Sequence, residues 1–202
     1  MDRSVVWGAP PAERVDAARN RLHLLSTARE MLAELGSDKL TMDGLAQRAG
    51  LGKGTVFRRF GTRAGIFQAL LDDDERSFQE QVLSGPPPLG PGAPPLERLI
   101  AYGRARAAFM NGHRVIARAA LDGSRSVPVG HRAPMSQVHI RVLLGQLSLG
   151  EVDLDMLTVQ LAAALDGPVL LYLSSDDLTD VDGLDERIGQ AWQDLVERVC
   201  RP

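Results

Sequence analysis

Apolar residues in this chain recur at spacings of three and four far more often than they alternate. Leu22, Leu25, Ala28, Leu32 and Leu35 form one such series, and Gly36 follows as a C-terminal stop. Thr41 is placed to cap a short helix through Ala49. Gly50 and Gly52 then break the chain, and Lys53 to Phe60 predict a second short helix. Thr62 caps a longer one carrying Ile66, Phe67, Leu70, Leu71, Phe78 and Val82. Alternating runs bounded by hairpin turns are missing and aromatics are only 4%, so the pattern predicts an all-α fold.

Ser84 to Pro95 interrupts the periodicity. Six of the chain's twelve prolines and three glycines lie there, which no helix survives, so a linker or loop is expected. Beyond it the spacing predicts helices over Leu96–Met110, His113–Leu121, Met135–Leu149, Leu154–Leu173 and Gly183–Cys200, with a loop from Gly123 to Pro134. Pro168 is expected to kink its helix, because it lacks an N–H and crowds the preceding turn.

Composition narrows the function. No run of about 18 apolar residues is present to span a bilayer, and the N-terminus lacks the basic-then-apolar signature of a secretory signal. Cys200 is the single cysteine of the 202 residues, which excludes an internal disulfide and fits a reducing cytoplasm. The formal net charge is -3, yet its distribution is uneven. Between Gly44 and Leu71 there are five cations (Arg48, Lys53, Arg58, Arg59, Arg63) and no acid, whereas Glu151 to Pro202 holds twelve acids against three arginines. A basic patch on an acidic chain still makes a local positive field.

That basic stretch, RAGLGKGTVFRRFGTRAG from Arg48, invites two readings. A phosphate-binding loop around Gly52-Lys53 requires glycine at position 47 and a hydroxyl at 54. The chain has Gln47 and Gly54, and a helical pattern precedes them where a strand is needed. A helix-turn-helix requires a short helix, a turn that permits positive φ, and a second helix with an outward polar face. Gly50 meets the turn requirement. Leu45, Ala46, Ala49, Leu51, Val56 and Phe60 supply the apolar positions between the helices, and Lys53, Thr55, Phe57, Arg58 and Arg59 are left to face outward. These offer cations, a hydroxyl and a ring, the groups that meet phosphates and base edges.

TMDGLAQRAGLGKGTVFRRFGTRAGIFQAL resembles the N-terminal domain of TetR-family transcriptional regulators. The capping threonine, the R-A-G turn, K-G-T and the closing Phe60 all fall in register, and LLSTAREMLAELG is similar to the family's first helix. The resemblance covers about residues 14–83 and implies a three-helix DNA-binding domain there, with its motif at about 41–60. Residues 84–95 are then the linker or loop, and 96–202 a helical ligand-binding and dimerisation domain. Three positions depart from the family pattern: Gly52 stands for serine, Phe57 for tyrosine and Arg59 for tyrosine or histidine; Arg63 sits where the family usually has lysine.

The resemblance assigns DNA contact to Thr41, Lys53, Gly54, Thr55, Phe57, Arg58, Arg59 and Arg63. As a plain hydrophobe, Phe57 is expected to turn inward slightly more readily than outward. Arg63 lies in the first turn of its helix, where a cation opposes the helix dipole, so a phosphate partner is expected. A homodimer on double-stranded DNA with a small-molecule effector is implied. Tyr102, Phe109, Met110, His139 and Tyr172 are candidate effector contacts, as amphipathic groups on the middle helices. Leu157, Leu161 and Leu165 on one helix, and Leu184, Ile188, Trp192, Leu195 and Val199 on the last, form the candidate dimer face.

No catalytic, metal or cofactor site is expected. His113, His131 and His139 lack ligand spacing, and Ser124 and Ser126 lie outside any nucleophile elbow. The alternative is a small-molecule-binding or enzymatic helical dimer with a vestigial DNA-binding head.

Overall fold

A computed structural model describes residues 12–121, 133–173 and 183–200, leaving out the side chains of 12–15, 17, 133, 134 and 169–173. The described residues are helical, without strands. The helices are α1 (Ala12–Leu35), α2 (Met42–Arg48), α3 (Lys53–Phe60), α4 (Arg63–Ser84), α5 (Pro95–Gly112), α6 (Arg114–Ala120), α7 (Ala133–Leu144), α8 (Leu154–Leu173) and α9 (Leu184–Cys200). Contacts divide the chain into Met1–Leu70 and Leu71–Pro202. The division falls within α4, ahead of the Pro/Gly-rich segment.

In the first unit Leu24, Leu25, Ala28 and Met31 of α1 are buried with Leu40, Leu45, Ala46, Val56, Ile66, Phe67 and Leu70. The face of α1 is therefore rotated from the expected one. Leu22 is 61% exposed, because it lies about 120° around the helix from Ala28. Leu35, also exposed, is the last residue of its helix.

In the second unit Leu99, Tyr102, Ile140, Leu143, Leu144, Leu161, Leu165, Trp192 and Val196 belong to one core. Helix α5 is its axis, and α9 packs closely along it. Gly103 makes the approach possible, since a Cβ there would fall 2.0 Å from Trp192 Nε1. The indole N–H donates to the Leu99 carbonyl oxygen at 2.9 Å, so its one polar group is satisfied where it is buried.

The Pro/Gly-rich stretch is non-helical as its composition requires, but it packs: Leu89 lies against the core. Helix α7 stops at Leu144 rather than Leu149. Gly145 follows, and Leu147 and Leu149 reach the core from irregular backbone instead. The expected loop from Gly123, including Ser124, Ser126 and His131, lies outside the described residues, although Pro134 falls in the first turn of α7. Helix α8 continues through Pro168, whose missing N–H leaves the Ala164 carbonyl without its usual donor.

Candidate nucleic-acid interface

The hydroxyl of Thr41 accepts from the Gly44 N–H at 3.0 Å, so Thr41 caps α2 as its position predicts. Gly50 follows with φ +65°, a conformation that costs other residues a steric penalty, and turns the chain toward α3. His23 of α1 holds this turn from the side, its Nε2 lying 3.1 Å from the Ala49 carbonyl oxygen. Leu45, Ala46 and Val56 are buried between the helices, with Leu51 and Phe60 half-buried beside them.

Burying Val56 fixes the roll of α3. Lys53, Gly54, Phe57, Arg58 and Arg59 are exposed, and Thr55 is half-exposed. Phe57 does not turn inward: it is 50% exposed. With Val56 already filling the space under this eight-residue helix, its immediate neighbour is carried about 100° away from the core.

Lys53 and Arg48 hold acidic partners that spacing alone does not reveal. Lys53 meets Asp43 of α2 at 2.7 Å, with both side chains mostly in solvent. Arg48 makes a fork-to-fork pair with Glu34 at 2.6 Å on each arm. The Arg48 hydrogen bonds hold the Glu34 carboxyl below its ordinary range.

Arg63 holds backbone partners within its own chain. Its Nε donates to the Leu40 carbonyl oxygen at 2.7 Å and an Nη to that of Ser37 at 2.5 Å, while the guanidinium lies 5.0 Å from the Phe67 ring centroid. The Ser37 carbonyl also accepts from the Leu40 N–H, which closes the 3-10 turn at Ser37–Lys39 just before the cap of α2. The two carbonyls compensate the cation for its place at a helix N-terminus.

Residues 24–70 match the family model for bacterial regulatory proteins of the tetR family. This chain carries a TetR-family N-terminal domain. The DNA-binding transcriptional repressor TetR of Mycobacteroides abscessus is 36% identical over 59 residues, a match covering 29% of this chain and 31% of that repressor. The chain thus matches about a third of the length of that curated relative. Solved TetR-family structures extend the likeness in fold. A transcriptional regulator from Pectobacterium atrosepticum superposes with a TM-score of 0.70 at 18% identity, covering 94% of this chain and 98% of that one. A TetR variant from Acinetobacter baumannii in complex with minocycline gives 0.57 at 18% identity, covering 89% and 97%. The arrangement of α1 to α9 is a TetR-type fold.

In the C-terminal unit of this TetR-type fold, part of the candidate effector set converges. Tyr102 is 3% exposed, its hydroxyl donating to Ser136 Oγ at 2.6 Å and its ring centroid lying 4.8 Å from that of His139. Phe109 joins through Phe78, whose ring centroid is 5.1 Å from Phe109 and 6.0 Å from Tyr102. Met110 is half-buried, and the Tyr172 side chain lies outside the described residues. Burial, aided by the charge of Arg98, lowers the His139 pKa to about 4. Burial pushes the Tyr102 hydroxyl up.

The candidate dimer face needs correction. Leu157, Leu161 and Leu165 are buried in the core of their own chain, and Trp192, buried in the same core, also lines the floor of a groove on its surface. Leu184, Ile188 and Leu195 are half-buried and line an open groove of about 350 Å³ between α8 and α9, while Val199 is exposed. The exposed apolar residues of α8 are instead Met156 and Val159, on the opposite side from Leu157 and Leu161. Leucine spacing identified an apolar stripe without telling which of two stripes faces inward.

Proposed function

We propose that this protein is a homodimeric, ligand-responsive transcriptional regulator of the cytoplasm, acting as a repressor on a pseudo-palindromic operator. The observation that carries the reading is the roll of α3. Val56 is buried, while Lys53, Phe57, Arg58 and Arg59 are turned to solvent behind a glycine turn with φ +65°. A short helix presenting cations and a ring in this way suits a major groove, with phosphate contacts giving register and base edges giving preference.

Arg59 is the base-reading candidate, since a guanidinium pairs with guanine O6 and N7. Lys53, Thr55 and Arg58 serve the backbone, with Thr41 at the cap of α2. The match to a DNA-binding repressor over 59 residues, and that of residues 24–70 to the tetR family model, support this assignment. The dimer is supported by the apolar face of α9, where Leu184, Ile188 and Leu195 line an open groove against Ala164 and Pro168 of α8 and Val199 is exposed. Effector response is supported by the ring cluster around Tyr102 and His139. A ligand that binds one conformation better shifts the population between DNA-competent and incompetent states.

The test is selection from a random duplex library with the full chain. Enrichment of a sequence with two-fold-related half-sites is expected. A protein that enriches nothing would overturn the reading in favour of a helical small-molecule-binding dimer with an inactive head.

A further inference from the structure

Among the described residues, four buried side-chain atoms have no hydrogen-bond partner: Nε of Arg98, Nε of Arg106, Nε2 of His139 and Oδ1 of Asp166. Buried polar atoms are nearly always satisfied, and each one left alone costs on the order of 1–3 kcal/mol. The two arginine nitrogens are donors that call for an acceptor, whereas Oδ1 of Asp166 and the unprotonated Nε2 of His139 call for a donor.

Arg106 of α5 is 9% exposed and meets Glu75 of α4 at 2.6 Å. Its guanidinium also lies over the rings of Phe78 and Phe109, at 5.7 and 5.3 Å from their centroids. Glu75 already balances this cation. Asp166 of α8 brings a second carboxylate into the field of the same pair, and Arg106 and Glu75 are the charges that act on it. Arg98 acts on His139 instead. Glu75 takes the guanidinium in this pair, whereas Oδ1 of Asp166 is buried with no hydrogen-bond partner. A charge in that position must be neutralised by a proton or by a cation. Burial accordingly raises the Asp166 pKa.

The neighbouring chemistry suits a cation with an apolar body. The rings of His139, Tyr102, Phe78 and Phe109 form a continuous series. Neutral His139 offers Nε2 as an acceptor in one of its tautomers. Asp166 and His139 are half-buried rather than sealed.

We propose that the C-terminal unit takes an amphipathic organic amine, its ammonium against Asp166 and its apolar body against the rings of Tyr102 and Phe109. This rests on the reading of the unit as an effector domain, and it names the class of effector.

The test uses three probes with one body and different heads: phenylbutylamine, phenylbutanol and phenylbutyrate. Each is titrated into the full-length protein by calorimetry near neutral pH. The amine is expected to bind tighter than the alcohol by roughly tenfold or more, with the acid weakest. In Asp166→Asn the amine should fall to the level of the alcohol, while the alcohol is unchanged. Equal binding of amine and alcohol, preference for the acid, or binding of none of the three would overturn the proposal. Duplex binding is read in the same preparation. A protein that enriches a duplex but does not prefer the amine refutes the effector class alone. One that prefers the amine but enriches no duplex refutes DNA reading and leaves the amine site standing.

Discussion

Arg63 donates from Nε to the carbonyl oxygen of Leu40 at 2.7 Å. With its second bond to Ser37, the side chain ties the start of α4 to the turn that precedes α2. These bonds give Arg63 a task in placing the helix-turn-helix, and this task can be told apart from neutralising a phosphate.

Arg63→Ala is therefore expected to destabilise the protein by about 1.5–3 kcal/mol, the range for hydrogen bonds to a charged group. The slope of log affinity against log salt should stay as in the wild type. A residue that neutralises one phosphate would instead reduce that slope by about one. Urea unfolding combined with a salt titration of duplex binding separates the two roles.

Asp43→Asn is expected to raise duplex affinity several-fold at low salt, by removing the acid that Lys53 meets at 2.7 Å. Exposed pairs contribute about 0–1 kcal/mol to folding, so the melting temperature should hardly move. Anisotropy with any duplex checks this, because the gain is not specific to sequence.

Gly103→Ala tests the packing of α5 on α9. Its Cβ would fall 2.0 Å from Trp192 Nε1 and 2.1 Å from Cδ1, so the indole must move. A loss of about 1–3 kcal/mol is expected, as for other overpacked cores. A shifted tryptophan emission should accompany it as the bond to the Leu99 carbonyl is disturbed.

His139 predicts an acid limb in the stability profile. Its pKa of about 4 in the folded chain lies below the ordinary 6.5, so the unfolded chain binds the proton first. Stability from this group is complete above pH about 6.5 and is lost as pH falls toward 4. Asp166, with its pKa raised, acts with the opposite sign above its ordinary value of 3.8. The measurement is therefore the difference between wild type and His139→Gln in urea unfolding. That difference should vary between pH about 6.5 and 4 and be flat above.

Much of this molecule was legible in its sequence because local rules govern it. Thr41 and Thr62 cap their helices, with hydroxyls 3.0 Å from the Gly44 and Gly65 N–H groups, and Gly50 turns at positive φ. The bounds of α3 follow from Gly52 and Gly61 on either side of it. What escaped depends on distant partners. Nothing near Arg63 in sequence announces the carbonyls of Ser37 and Leu40. Nothing near His23 announces Ala49, and only tertiary packing decides that Leu161 faces inward while Val159 faces out. Asp166 was equally invisible, since its interest lies in a partner it lacks.

On the proposed function, the exposed side of α3 reads base pairs, with Arg59 as the reader. Binding of wild type and Arg59→Ala to the selected duplex and to a scrambled one of equal length tests it most directly. The prediction is a loss of about 1–3 kcal/mol in discrimination between the two duplexes, with binding to the scrambled one largely retained. An equal loss on both duplexes would contradict it.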